Sequence, residues 1–403
     1  GIMERLFESV AAKPTNGKWE NMIKREKEIY LRKGDVRSEF ERDYTRILHC
    51  DAYKRLKHKT QVFFSPSNDH ICTRIEHVGH VESISHTIAS YLGLNTELTK
   101  AIAIAHDLGH SPFGHAGEKV LNEISKKDIG ETFWHEKNGV YMVDNIELLE
   151  DDKGILQNLN LTYAVRDGII SHCGEIDENA LKPREKAIDL NLYTKPNEYA
   201  PYTWEGCVIK ISDKISYIGR DIEDALSLKL LDKDKIQELK EILGMKREEA
   251  LNNTRIINDL IVDICQNSTP EKGLCFSKEK LNLIDSIKKY NYENIYNNQR
   301  MVASNEYFKI VLNRIYITLK DLYSENNIKQ NFKNAQKFYP NVIPQFEEWL
   351  ERYGELNNRE NTNLKNKIIF GYNKKDYYKA IIEFISGMTD NFAIDVYNEI
   401  IRF

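Results

Sequence analysis

With 403 residues, the chain is long enough to bury one large hydrophobic core or two smaller ones. Its formal net charge of −5 excludes a general attraction to nucleic acid or anionic membranes, so any basic site must be local. No apolar run approaches the ~20 residues that a membrane span requires, and the first residues lack the apolar stretch of a signal peptide. The six cysteines form no CxxC pair, which favours reduced thiols. We therefore expect a cytoplasmic protein without a membrane partner.

The beginning of the chain predicts a helix and then a small hairpin. Residues 1–36 are interpreted as a charged helix with a polar lead-in that ends at a Lys33–Gly34 break. Residues 37–64 start as an amphipathic helix and end in a β-like run at Gln61–Phe64. A turn cluster separates this run from a candidate return strand at His70–Thr73, which predicts a β-hairpin.

Histidines are concentrated in the first part of the chain. Ten of the eleven fall between His49 and His135, and none follows His172. In the predicted helix over residues 73–94, His77 shares its spacing with Val81 and Ile84, so it faces inward. His86 points the opposite way and is expected at the surface.

A second predicted helix, over residues 95–105, is apolar on every side near its end and should be buried all round. His106 and Asp107 follow directly. Because burial of a carboxylate beside an imidazole is costly without a partner, a divalent metal is the simplest partner for both. Gly109 and Pro112 then break the helix. We expect a turn that folds back over the metal and carries His110, His115 and Glu118.

Helices dominate the remainder of the chain. Residues 133–146 form a candidate helix led by His135. Residues 206–226 separate by helical period into an isoleucine face and a polar face. The polar face carries Asp213, Tyr217, Arg220, Asp221 and Asp224. Clear strands are scarce, so the predicted fold is mostly α. We expect three parts: a helical lead-in (1–36), a catalytic core (37–230) and a helical C-terminal region packed on it (231–403).

Four residues are the candidate metal ligands: His77, His106, Asp107 and Asp213. Two imidazoles and two carboxylates suit Mn²⁺, Fe²⁺, Co²⁺, Zn²⁺ or Mg²⁺. Four protein ligands leave a position open for water or a phosphate oxygen, as metal-assisted hydrolysis requires. The alternative is that each histidine is a core residue and each aspartate is solvated. Their clustering with further histidines favours the metal site.

The same residues carry a family resemblance. The order His77, His106–Asp107, Asp213 resembles the H…HD…D motif of HD-domain metal-dependent phosphohydrolases. Five blocks extend the resemblance to the deoxynucleoside triphosphate triphosphohydrolases, the dGTPase-like branch. The blocks are KTQVF (59–63), TRIEH (73–77), HDLGHSPFGHAGE (106–118), DKISY–RDIEDA (213–225) and FISGMTDNFA (384–393). This resemblance implies an HD-domain helical core with a helical C-terminal extension.

The resemblance also implies a reaction. A metal-activated water attacks the α-phosphorus of a dNTP, with dGTP a candidate preference, and deoxynucleoside and inorganic triphosphate are released. By resemblance His115 is the catalytic histidine, oriented by Glu118, and a general acid is needed because the 5′ alkoxide is a poor leaving group. His110 and His135 match further active-site histidines near the phosphates.

Substrate contacts follow from the same resemblance. Arg74 and Lys214 match phosphate-binding residues, as the charge of triphosphate demands. Gln61 matches the residue that bonds the 3′-hydroxyl. Tyr217 and Asp221 match the pair that brackets the deoxyribose, with the tyrosine ring leaving no room for a 2′-hydroxyl. The alternative for each is an ordinary surface residue.

Two rival functions stay open. One is another HD-domain phosphohydrolase, such as a 5′-nucleotidase or a cyclic or alarmone nucleotide hydrolase. The other is a nucleotide-sensing or single-stranded nucleic-acid-binding protein with an inactive HD site; nucleic acid also remains open as a secondary ligand of the enzyme. The resemblance further implies a homo-oligomer and activation by a bound dNTP.

Overall fold

Helices form most of the regular structure in the computed structural model, which describes residues 5–28, 34–60, 72–173, 180–354 and 373–402. The helices are α1 (Trp19–Met22), α2 (Glu39–His49), α3 (Asp51–Arg55), α4 (Arg74–Leu92), α5 (Thr96–Ala105), α6 (Gly114–Asp128), α7 (His135–Tyr141), α8 (Tyr163–Ser171), α9 (Trp204–Ser227), α10 (Lys233–Ile242), α11 (Asn253–Asn267), α12 (Lys278–Asn291), α13 (Gln299–Lys320), α14 (Ile328–Gln336), α15 (Val342–Tyr353), α16 (Lys374–Ser386) and α17 (Asp390–Ile401). The prediction of a mostly α fold is confirmed.

A small antiparallel hairpin joins β1 (Leu149–Glu150) to β2 (Leu156–Gln157). It is not the hairpin that the sequence predicts, most of which lies outside the described residues, at 61–71. Next to that gap, Thr60 pairs with Thr73 in an isolated antiparallel bridge. No helix among the described residues combines the length and the apolar character needed to cross a membrane.

The charged helix predicted for the first residues is wrong in the described part of that segment. Residues 5–28 contain only a 3₁₀ turn (Glu8–Val10) and the four-residue α1. Pro14 and Gly17 interrupt any longer helix. The charges make tertiary contacts instead, since Arg25 pairs with the fully buried Asp43 of α2.

The helices α4, α5 and α9 pack against one another at the centre of the protein. Asn95 caps α5 by accepting hydrogen bonds from the backbone nitrogens of Glu97 and Leu98. The last residues of α5 are fully buried, as their apolar run predicts. Because α5 is enclosed by its neighbours, the residues that follow it are delivered to the protein interior.

Helix α9 is buried on both of its faces. Thr203 caps it by accepting a hydrogen bond from the Gly206 nitrogen. Its isoleucines enter the hydrophobic core, while Asp221 and Asp224 of the polar face are also buried. The alternative that Asp221 is an ordinary surface residue is therefore wrong.

The turn between α5 and α6 is held from two sides. A Cβ at Gly109 would stand 2.2 Å from the Gly139 nitrogen, so only glycine lets α7 pack this closely. From the other side, Asp390 at the start of α17 accepts a hydrogen bond from the Phe113 nitrogen (2.8 Å) and bonds from Thr60. The last helix of the chain thereby fixes the turn.

The C-terminal helices contact α6 directly. Helices α13 and α16 pack on α6, and α17 packs on α13. Phe113, just before α6, stacks on Phe308 of α13 with ring centroids 4.2 Å apart. The C-terminal region therefore buttresses the segment that carries the histidines.

Burial of one carboxyl group on α16 predicts a pH-dependent stability. Burial raises the pKa of Glu383 to about 8, although the nearby Lys379 ammonium lowers it in part. A carboxyl whose pKa is raised on folding favours the folded state at low pH and loses that contribution as pH rises towards 8. We expect Glu383→Gln to match the wild type near pH 4 and to exceed its free energy of unfolding at pH 8 by about 4 kcal/mol.

Urea unfolding at both pH values measures this difference. The exposed Glu348 of α15 provides the matched control, since Glu348→Gln should leave the pH dependence unchanged. Equal pH profiles for the wild type and Glu383→Gln would contradict the prediction.

Candidate active site

Four side chains from two helices and one turn meet at a buried point. His77 of α4 lies with Nε2 2.7 Å from Oδ1 of Asp213 on α9. His106 Nε2, just after α5, lies 3.4 Å from the same oxygen and 3.4 Å from Asp107 Oδ1. Asp107 Oδ2 lies 3.9 Å from His77 Nε2. Residues separated by 136 positions in the chain are thus in contact.

The donor set fits a divalent metal ion. Metal–ligand bonds to nitrogen and oxygen are ~2.0–2.2 Å long, so ligand atoms on one ion lie roughly 3 Å apart, as they do here. His106 Nε2 and Asp107 Oδ2 are buried and have no hydrogen-bond partner among the described residues. Unpartnered buried polar atoms of this kind are costly unless an ion satisfies them.

Backbone and side-chain contacts orient the two imidazoles. Nδ1 of His106 donates a hydrogen bond to the Ala103 carbonyl, which leaves Nε2 to face the aspartates. Nδ1 of His77 lies 3.2 Å from the Ser216 hydroxyl. Such contacts fix the tautomer and ring orientation of metal-binding histidines.

The electrostatics of this point favour positive charge. Burial opposes protonation of His106, but the Asp107 and Asp213 carboxylates raise its pKa to about 9. Burial likewise opposes ionisation of Asp107, yet His106, His110 and Arg74 hold its pKa well below the usual range. Both carboxylates are therefore ready ligands for a cation at neutral pH.

Arg74 lies beside Asp107 in the interior of the protein. Its guanidinium is fully buried, with Nη1 3.5 Å from Asp107 Oδ2. It also donates to the Tyr217 hydroxyl at 2.8 Å and to the Thr60 carbonyl at 3.2 Å. These contacts hold the guanidinium next to Asp107.

A second cluster of histidines adjoins the first. His110 and His135 stack with centroids 3.9 Å apart, and His110 Nε2 lies 3.2 Å from Asp107 Oδ1. Glu118 accepts from both the backbone and the ring of His135 and lies 3.6 Å from His115 Nδ1. His115 is the exposed member, at 57% of its side chain.

The sequence prediction that His115 and Glu118 lie on a turn is wrong. They lie in the first turns of α6, which begins at Gly114. The glycines and Pro112 suggest a longer turn, but a Cβ at Gly117 would stand 1.8 Å from the Pro112 carbonyl oxygen. Glycine is needed there for packing and does not end the helix.

The polar face of α9 continues the site beyond Asp213. The Tyr217 ring lies 4.7 Å from His77 and 6.2 Å from His115, between the two clusters. Tyr296 donates a hydrogen bond to Asp221, whose Oδ1 is buried without a partner among the described residues. Lys214 is half-buried beside Asp213. Gln61 lies outside the described residues.

Comparisons with known proteins identify the family of the chain. A family profile described as "HD domain" matches residues 74–218. The chain is 33% identical to a "Deoxyguanosinetriphosphate triphosphohydrolase-like protein" of Caldanaerobacter subterraneus over 91% of its length and 86% of the relative. A protein of the same name in Rickettsia prowazekii is 33% identical over 90% of this chain and 92% of the relative. The chain belongs to the deoxyguanosinetriphosphate triphosphohydrolase-like family. The family resemblance inferred from the sequence is thereby confirmed.

Several residues near the site were given no role in the sequence analysis. Glu136 follows His135 on α7 and is buried, and His172 lies at the end of α8. Lys59 is buried and donates to the His110 carbonyl, and burial lowers its pKa to about 7. One signal was available for His172, since it ends an apolar helix just as His106 does.

Proposed function

We propose that the protein hydrolyses deoxynucleoside triphosphates to deoxynucleoside and inorganic triphosphate. The observation that carries this proposal is the convergence of His77, His106, Asp107 and Asp213 beside the exposed His115. The names of the relatives support the same substrate class. The protein would act in the cytoplasm as a homo-oligomer, with a bound dNTP as activator.

The four converging residues would hold the divalent metal. Mn²⁺, Fe²⁺, Co²⁺, Zn²⁺ and Mg²⁺ are all compatible with two imidazoles and two carboxylates. A metal bound there lowers the pKa of a water and offsets charge that grows on phosphorus. Arg74 and Lys214 bind phosphate oxygens and set the α-phosphorus against this point, and the planar guanidinium is suited to that task.

His115 would protonate the departing 5′ oxygen. Its exposure puts it within reach of a substrate, and Glu118 lies close enough to orient its ring. His110 and His135 line the path of the phosphates. Burial opposes protonation of His135, but Glu136 and Glu118 raise its pKa well above the usual range. These carboxylates favour a positive charge near the phosphates, whether a proton or a metal ion carries it.

The sugar would lie against the polar face of α9. Tyr217 packs on C2′ and excludes a 2′-hydroxyl, while Asp221 and Gln61 accept or donate at the 3′-hydroxyl. The unpartnered Oδ1 of Asp221 supports this role, because a buried polar group left unpaired rejects substrates that lack its partner. Arg74 holds the Tyr217 hydroxyl and so keeps the ring in place.

Removing the ring of Tyr217 should weaken the choice between sugars. We expect Tyr217→Ala to lower the ratio of dNTP to NTP turnover by about 10- to 100-fold, a range typical of steric selection. Tyr217→Phe keeps the ring and should retain most of the selectivity, although it loses the contact to Arg74. Competition between dGTP and GTP measures the ratio. An unchanged ratio in Tyr217→Ala would show that another residue excludes the 2′-hydroxyl.

Product analysis tests the proposed function. The protein is incubated with each dNTP and NTP plus Mn²⁺ or Mg²⁺, and the products are separated by anion-exchange chromatography. Inorganic triphosphate with deoxynucleoside supports the proposal. Orthophosphate or pyrophosphate would indicate another HD-domain phosphohydrolase. Salt-dependent binding of single-stranded DNA by inactive protein would favour the nucleic-acid alternative.

A further inference from the structure

His172 is held in the same way as a candidate metal ligand, although no role has been given to it. Its Nδ1 donates to the carbonyl of Ile169 at 2.6 Å, three residues earlier. His106 makes the same bond to Ala103, also three residues earlier. In both rings Nε2 is buried and lacks a hydrogen-bond partner among the described residues. The two imidazoles are neighbours, with centroids 4.9 Å apart.

Two further side chains that could bind a metal, His135 and Glu136, lie beside His172. Glu136 Oε1 lies 2.8 Å from His135 Nε2, yet it makes no hydrogen bond of acceptable geometry with the described residues. Ligand atoms of His135, Glu136 and His172 all lie within 4.8 Å of one another. A carboxylate oxygen and an imidazole nitrogen this close together, with no hydrogen bond between them, are placed as two ligands of one cation would be, since ligands on one ion lie roughly 3 Å apart.

The other ring nitrogen of His135, Nδ1, is placed as in a metal-binding histidine. Its Nδ1 lies 3.1 Å from each oxygen of Glu118. A carboxylate that accepts from the far nitrogen of an imidazole is the common outer contact of a metal-binding histidine. The arrangement fixes the tautomer with Nε2 directed at Glu136 and His172.

Buried carboxylates are concentrated in this region. Four of them surround the two clusters, and none has a side chain more than 16% exposed: Asp107, Asp213, Glu118 and Glu136. The buried Arg74 lies against Asp107, while Glu118 and Glu136 contact opposite nitrogens of His135. Buried charges need partners, and a cation held by His135 would be one such partner for Glu136.

We propose that His135, Glu136 and His172 form a second divalent-cation site beside the site of His77, His106, Asp107 and Asp213. Two imidazoles and one carboxylate select Mn²⁺, Fe²⁺ or Zn²⁺ over Mg²⁺ or Ca²⁺. Asp107 adjoins both sites, because its ligand atoms lie within 4.8 Å of those of His172 and of His135. The proposal goes beyond the nucleotide reaction and does not depend on which substrate is cleaved.

Metal stoichiometry tests this site without any substrate. The full chain is stripped with chelator, loaded with Mn²⁺ and desalted, and manganese per chain is measured by mass spectrometry. We expect two ions per chain in the wild type and one in His172→Gln. The electron paramagnetic resonance spectrum of the wild type should show coupling between neighbouring Mn²⁺ ions, and the variant should lose it.

Two further variants make the test decisive. Glu136→Gln is nearly isosteric and should also bind one ion, so it serves if His172→Gln does not fold. His86→Gln changes an exposed histidine on α4 and should keep two ions. One ion in the wild type, or two ions in both His172→Gln and Glu136→Gln, would overturn the proposal. A failure to cleave dNTPs would leave these results unaffected and would count only against the proposed function.

Discussion

Replacing His115 with alanine should lower kcat for dNTP hydrolysis by about 10³-fold, in the range that a general acid contributes, and leave the metal content unchanged. His115 contacts Glu118 but none of the four residues proposed to bind the metal at the HD motif. Its loss therefore removes a proton donor for the 5′ oxygen without disturbing those ligands. Steady-state kinetics and metal analysis of the same preparation measure both quantities.

A substrate whose leaving group needs no proton distinguishes a general-acid role of His115 from a structural one. Hydrolysis of bis(p-nitrophenyl) phosphate releases a stable phenolate, so His115→Ala should lose much less activity on it than on a dNTP. His86→Ala, at an exposed histidine of α4, is the matched control and should behave as the wild type. Loss of metal from His115→Ala would show that this histidine has been assigned the wrong role.

Helical periodicity was sufficient to predict which residues of α4 and α9 face the site. His77 shares its face of α4 with buried apolar residues. On α9, Asp213 is followed at four-residue intervals by Tyr217 and Asp221, so the three lie on one polar face. Likewise, the apolar run of α5 showed that His106 and Asp107 enter the interior. Each of these inferences uses only local spacing, because the side of a helix is fixed by its period.

Contacts between distant segments could not be predicted in this way. Asp390 resembles any acidic residue in a first helical turn, yet its carboxylate holds Phe113 and Thr60, which are 277 and 330 residues away. Lys59 resembles a surface lysine, yet it is buried against the His110 carbonyl. Only the packing of α17 against the turn after α5 reveals these roles.

The glycines around Pro112 misled the sequence interpretation for a related reason. Gly114 and Gly117 lower helix propensity, and their local signal indicates a turn. Gly117 is nevertheless required inside α6, where its missing side chain admits the Pro112 carbonyl. The tertiary contact determines the helix start, and it brings His115 and Glu118 onto one helical face three residues apart.

Asp213→Ala should lower the affinity for metal, whereas His115→Ala should not. The carboxylate contacts both His77 and His106, so alanine removes one ligand and the acceptor that orients two others. Since loss of an outer contact alone costs ~10–100-fold in metal affinity, loss of this ligand should exceed that range. We expect one Mn²⁺ per chain fewer than in the wild type, together with no measurable dNTP turnover.

Calorimetric titration of chelator-treated protein with Mn²⁺ measures the affinity directly. The control is Asp259→Ala, which removes an exposed aspartate of α11 and should bind metal as the wild type does. At high Mn²⁺ concentration, Asp213→Ala should regain activity only if the added Mn²⁺ restores the number of ions bound per chain. If the variant bound as many ions as the wild type with equal affinity, Asp213 would not be a metal ligand. The contact with His77 and His106 would then be an ordinary buried ion pair.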